Sequence, residues 1–223
     1  MRKSLVVLSL CAAFASTIVT HSVLASDSTD QSKQTAEIKP TIAQGDASAV
    51  GAASAVCSGC HGADGISTIP ENPNLAGQGA PYLYKQLTEF KSGARENVVM
   101  SGMVAALDED TMRNLSAFYA EMAPSTLKSS PDNLEAGRQI YLGGITSIQV
   151  PACAGCHAPD GAGNDAAKFP RLGGQHADYI VAALKSFRSG ARANDPGKMM
   201  QMVAKRMSDE EIEAVANYVQ GLY

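Results

Sequence analysis

Four of the five cysteines in this chain fall into two near-identical clusters, CSGCH at 57–61 and CAGCH at 153–157. Each is a thiol pair two residues apart with a histidine fused to the second thiol. A motif that recurs within 223 residues points to two small units rather than one large one. A unit of roughly 80 residues buries too little apolar surface to be comfortable alone, so a disulfide, a metal or a large cofactor is an expected supplement. Composition agrees: there is no Trp and only 5% of residues are aromatic, so the bulky side chains that fill cores are scarce.

The N-terminus reads as a targeting segment. Arg2 and Lys3 precede an apolar run from Leu5 to Val19, and Val23-Leu24-Ala25 places small residues where a signal peptidase reads. Residues 1–25 are therefore expected to be a signal peptide cleaved after Ala25, taking Cys11 with it. Ser16, Thr17, Thr20, His21 and Ser22 leave the apolar stretch short of the roughly 20 residues a membrane anchor needs. No later segment is long and apolar enough to span a bilayer, so a soluble, exported protein is expected. Losing Arg2 and Lys3 takes the formal net charge from −4 to −6. An acidic chain without a basic run is a poor partner for nucleic acid or anionic lipid, and nucleic acid is set aside.

Residues 26–44 are rich in Ser, Thr, Gln and charge without apolar periodicity, as in a flexible tail. The stretch around 124–133 carries two prolines and several small polar residues and reads as a linker. The folded units are then 45–123 and 134–223. They match beyond the cysteine motif: LAGQGAPYLYKQLTEFKSGAR at 75–95 lies over LGGQHADYIVAALKSFRSGAR at 172–192. Tyr82, Leu83, Leu87 and Phe90 correspond to Tyr179, Ile180, Leu184 and Phe187 and form one helical face in each copy. A closing helix follows. In the second copy Ser208 with Glu211 makes a capping box ahead of Ile212, Val215, Ala216 and Val219; in the first, Asp108 precedes Met112, Leu115, Phe118 or Tyr119, and Met122. No segment alternates with period two, so both units are expected to be all-α.

Three chemistries compete for the CxxCH motif. Thioredoxin-like redox chemistry wants a βαβ context that is missing. Zinc wants four ligands, and each half offers three. A disulfide staple suits an exported protein but leaves the histidine unexplained. Covalent haem uses all three residues: the thiols add to the two porphyrin vinyl groups, and the adjacent histidine ligates the iron. Cys57, Cys60, Cys153 and Cys156 are thus the expected attachment points, with His61 and His157 as iron ligands.

The sixth ligand is read from the repeat. Aligning LDED at 107–110 with MSDE at 207–210, only one methionine of residues 99–122 falls on a methionine of the other half, Met100 on Met200. These are the expected distal ligands, with Met199 and Met202 as rivals in the second half because the loop after Pro196-Gly197 can shift the register. His176 falls on Gly79, so it reads as a surface or interface histidine. Pro73 and Pro170 follow the motifs in PNLAG and PRLGG, and their carbonyls are candidates to accept the other ring N–H of each histidine.

CxxCH, then P-x-L-x-G, then a methionine about forty residues on, then a closing helix, resembles class I cytochrome c. Two such units behind a signal peptide, with GQ-x-x-Y and FRSGAR in the second, look like the bacterial dihaem cytochromes c4. The resemblance covers about residues 45–223. It implies two tandem class I cytochrome c domains, each wrapped round one covalently attached haem with His/Met ligation, facing each other across a pseudo-twofold. It implies a periplasmic, monomeric electron carrier, taking electrons from a quinol-oxidising complex towards a haem-copper oxidase. It assigns covalent attachment, proximal ligation and distal ligation to the same eight residues. Methionine ligation favours ferrous iron and suits a high-potential carrier. The stretch YLGGITSIQVPAC before the second motif departs from the first half. Two rivals remain: a dihaem peroxidase or other haem enzyme, needing an open iron site, and a dihaem subunit of a flavoprotein dehydrogenase.

Overall fold

A computed structural model of the chain describes residues 45–223; the expected signal peptide and tail lie outside the described residues. The described residues form nine α-helices and no strand, with two isolated bridges, Ile145–Val150 and Asn164–Phe169. The first half holds α1 (Gly51–His61), α2 (Ala80–Ser92), α3 (Val98–Val104) and α4 (Glu109–Ala120). The second holds α5 (Leu134–Gly143), α6 (Ala154–His157), α7 (Ala177–Ser189), α8 (Met199–Ala204) and α9 (Asp209–Gln220).

Local chemistry sets the helix ends. The Asp108 side chain accepts from the Thr111 N–H at 2.8 Å and starts α4. At α9 the box is closed from both sides: Glu211 N–H donates to Ser208 Oγ (3.2 Å) and Ser208 N–H to Glu211 Oε2 (2.8 Å). The buried faces are those the spacing predicts, Ile212, Val215, Ala216 and Val219 on α9 and Met112, Leu115 and Tyr119 on α4. Phe118 stays half-buried, so Tyr119 is the aromatic that turns inward.

Each half closes its terminal helix against an N-terminal element through a glycine. A Cβ on Gly137 of α5 would run into the Ala214 carbonyl of α9, and one on Gly45 would run into the Arg113 carbonyl of α4. The second copy has a full helix there, whereas the first has only a 3-10 turn at Ala47–Ala49. The stretch YLGGITSIQVPAC finds its place as the end of α5 and a closed loop, with Ile145 N–H donating to Val150 O (2.8 Å) and Val150 N–H to Ile145 O (3.1 Å) around a 3-10 turn. It lets a four-residue α6 carry the second motif where the first half uses the eleven-residue α1.

The segment between α4 and α5 has no regular structure from Ala123 to Ser130 but is strapped along α9. Ser129 Oγ donates to Asn217 O (2.7 Å), Ser130 N–H to Asn217 Oδ1 (2.8 Å), and Gln220 Nε2 to Lys128 O (2.8 Å).

The halves then meet through reciprocal contacts. Gln78 exchanges two hydrogen bonds with the Arg171 backbone (3.0 and 2.8 Å), and its repeat partner Gln175 does the same with the Asn74 backbone (2.8 and 2.9 Å). Arg95 Nη2 donates to Tyr179 Oη, and Arg192 Nη2 to Tyr82 Oη, both at 3.1 Å. Each pair swaps the repeat-equivalent residues of the two halves, which is the signature of a two-fold relation.

Candidate functional site

His61 ends α1 and His157 ends α6, and both are buried. A prolyl carbonyl can only accept, so each ring donates its Nδ1–H: His61 to Pro73 O (2.8 Å) and His157 to Pro170 O (2.9 Å). This fixes the ring orientation and leaves the Nε2 lone pair as the free ligating position. Burial pushes both histidines below their ordinary pKa, which favours the neutral imidazole that can ligate. The chain turns sharply after each ring, at Gly62 (φ 83) and at Ala158 (φ 67, ψ 153). The second is a backbone region that glycine occupies freely and alanine does not.

Cys57, Cys60, Cys153 and Cys156 are all free, so the staple reading has no support here. All four stand at the wall of a cavity of about 920 Å³ that runs through both halves. Burial raises the Cys57 thiol and pushes Cys153 up to about 11. No three His, Cys, Asp or Glu side chains converge as a bare-metal site would need, among the described residues.

Met100 lies on α3 and Met200 on α8, both half-buried at the cavity wall. Asn97 caps α3 by accepting from the Met100 N–H at 2.9 Å, and Ser101 Oγ ties that helix to Phe90 O at 3.1 Å. On α8, Asp195 holds Gln201 through its backbone and its side chain (3.0 and 2.7 Å), fixing the turn that presents Met200. The rivals Met199 and Met202 also reach the wall but are 38% and 54% exposed. Met103 is likewise 53% exposed, while Met112 and Met207 are core residues.

Polar groups facing this cavity show what it is built to hold. Arg95, Arg171 and Arg192 line it, and none has a carboxylate partner among the described residues. Arg171 Nε and Tyr119 Oη are buried without a hydrogen-bond partner among them. Buried polar groups normally find partners. An apolar cavity walled by four free thiols and two oriented imidazoles, with guanidiniums at its edge that have no carboxylate partner among the described residues, fits a porphyrin whose two carboxylates need cations.

Of the two readings of His176, surface or interface, the structure gives the interface: the ring is buried, and its Nε2 lies 2.9 Å from Ser67 O of the other half. One polar residue was missed in the sequence. Gln86 is 5% exposed on the α2 face read as apolar, and its Oε1 accepts from Arg95 (2.7 Å), Arg192 (3.1 Å) and Asn194 (3.0 Å). Its repeat partner is Ala183, so the repeat could not flag it. The interface pairs Gln78/Gln175 and Arg95/Arg192 did leave a signal, as polar residues kept in both copies.

Comparison with known proteins places these features. The Cytochrome c family model matches residues 48–123 and again 134–223. Cytochrome c4 of Pseudomonas aeruginosa is 42% identical over 182 residues, covering 81% of this chain and 90% of that protein. The crystal structure of reduced recombinant cytochrome c4 from Pseudomonas stutzeri matches with a TM-score of 0.78 at 41% identity, over 80% of this chain and all of that one. A thiosulfate dehydrogenase electron acceptor of Stutzerimonas stutzeri is 40% identical over 170 residues, covering 74% of this chain and 78% of that protein.

Proposed function

We propose that this chain, which belongs to the cytochrome c family in its two-domain cytochrome c4 form, carries single electrons in the periplasm from a quinol-oxidising complex towards a haem-copper oxidase. It holds two covalently attached haem c groups and is an electron-transfer protein, not an enzyme. The observation that carries the reading is the pair of CxxCH clusters, each with its histidine oriented by a prolyl carbonyl at the wall of one apolar cavity.

When bound, each haem supplies a one-electron ferric–ferrous couple. The chain's part is to hold that couple still and dry. Cys57 and Cys60 anchor the first cofactor and Cys153 and Cys156 the second. His61 and His157 present Nε2 from rings that cannot turn while Nδ1–H is bonded. Met100 and Met200 would supply the second protein ligand of each iron; the register of the repeat and their burial relative to Met199, Met202 and Met103 support this assignment. Thioether ligation by these methionines would favour ferrous iron and suit a high-potential carrier.

The domain limits 45–123 and 134–223, the 124–133 connection and cleavage after Ala25 belong to the same proposal. No helix among the described residues is long and apolar enough to cross a membrane. Each domain's inner face is used by the other, which supports a monomer. The likeness to a thiosulfate dehydrogenase electron acceptor supports a second donor class, a dehydrogenase that oxidises a sulfur compound. A flavoprotein dehydrogenase belongs to the same alternative.

A redox titration with visible spectra, followed by mixing with each partner, tests the proposal. Two low-spin haems, reduced by a quinol-oxidising complex and reoxidised by a haem-copper oxidase, are expected. Co-purification with a dehydrogenase and no reduction by the quinol-oxidising complex would move the assignment to the second donor.

A further inference from the structure

The two halves fill the same place with different tyrosines. On α4 the inward aromatic is Tyr119; the corresponding residue of α9 is Val219. Four residues after the glycine that packs on the closing helix, the second half has Tyr141 and the first has Ala49. Tyr141 is fully buried on α5, whereas Ala49 is exposed in a 3-10 turn. The result is one ring packed in the core beside the first cysteine of each motif, Tyr119 with Cys57 and Tyr141 with Cys153.

The rings are equivalent in packing but not in their hydroxyls. Tyr141 Oη is spent, donating to Ala158 O at 2.6 Å and holding the turn after His157. Tyr119 is 3% exposed, lines the cavity, and its Oη has Cys57 and Ser58 as its side-chain neighbours without hydrogen-bond geometry to any described residue. Ser58 Oγ, whose proton goes to Ser54 O at 2.7 Å, is outside hydrogen-bond geometry to Tyr119 Oη. A buried hydroxyl left unpaired is costly, so one retained at a cofactor wall points to an acceptor that comes into line when the cofactor is bound.

We propose that Tyr119 donates a hydrogen bond to the Cys57 sulfur once that sulfur is the thioether anchoring the first haem, and thereby raises the potential of that haem alone. This rests on the dihaem reading above. A thioether sulfur has lone pairs and no proton, so it accepts where a thiol had been free to donate. A donor at that sulfur draws electron density away from the ring and favours the reduced state. The second domain has no uncommitted hydroxyl at the matching place, which makes Tyr119 a positioning residue that separates two otherwise similar sites.

The test is Tyr119→Phe in the full haem-loaded chain, with two haem adducts confirmed by intact mass. The potentials are read in a redox titration that resolves the two haems by their NMR haem-methyl signals. The equilibrium constant for reducing the first haem should fall about threefold, which the one-electron constant of 59 mV per tenfold converts to about 28 mV. The second should not move. Phe118→Leu, which disturbs the ring stacked edge-on against Tyr119 at 5.2 Å and removes no hydroxyl, should leave both potentials in place. An unchanged first potential in Tyr119→Phe overturns the proposal, as does an equal shift in Phe118→Leu. A wild-type chain with fewer than two adducts would instead sink the dihaem reading itself.

Discussion

Removing the Gln175 side chain should uncouple the two domains far more than removing its mirror partner. Gln175 Oε1 accepts from the Asn74 N–H at 2.8 Å and Nε2 donates to Asn74 O at 2.9 Å, and both bonds are buried. Gln175→Ala orphans three buried backbone groups at once, the N–H and C=O of Asn74 and the His176 N–H that donates to Gln175 Oε1 at 3.1 Å. At about 1–3 kcal/mol for each buried group left unpaired, and with some water entering the space, a loss of about 3 kcal/mol is expected. For a folded region of this size that corresponds to about 6–12 °C in Tm. Gln78→Ala breaks the mirror contacts, but Arg171 is half-buried, so water replaces the lost partners and the cost should stay near 1 kcal/mol. The assay is equilibrium unfolding in guanidinium of both variants and the parent, followed by absorbance in the visible and by circular dichroism. If Gln175→Ala cost no more than Gln78→Ala, the buried lock across the halves would not be what joins them.

Three further outcomes follow from single positions. Met200→Ala should turn one haem high-spin and lower its potential while Met103→Ala leaves both spectra intact; retention of two methionine-ligated haems in Met200→Ala would shift the assignment to Met199 or Met202. Ala158→Gly should stabilise the protein by about 1 kcal/mol, because φ 67 with ψ 153 is costly for alanine, and the midpoint in guanidinium reads this directly. Burial pushes Tyr119 up to about 12. The folded state then holds a proton that the unfolded chain gives up near pH 10, so this group's contribution is complete below pH 10 and is lost as pH rises towards 12. Unfolding measured at pH 9 and 11 should show that loss, and Tyr119→Phe should lessen it by up to about 1.4 kcal/mol per pH unit.

The features legible in the sequence are the ones with local causes. Capping residues and apolar spacing announce α4 and α9, and the CxxCH repeat announces the cofactor because three residue types serve one chemistry. The prolyl carbonyls at Pro73 and Pro170 were accessible for the same reason, since one motif carries both groups. What stayed hidden depends on contact between distant residues. Gln86 occupies an apolar-looking face because guanidiniums from both halves converge on it, and the segment at 124–133 looks like a free linker until Asn217 and Gln220 tie it down. The buried ring comes from α4 in the first half (Tyr119) and from α5 in the second (Tyr141), two non-equivalent positions, so an alignment that compares one position at a time cannot see it.

Intact-mass measurement of the mature protein tests the central claim most directly. A polypeptide beginning at Ser26 with two haems retained under denaturing conditions is the expected result. A mass with one adduct, none, or two disulfides in their place would contradict it.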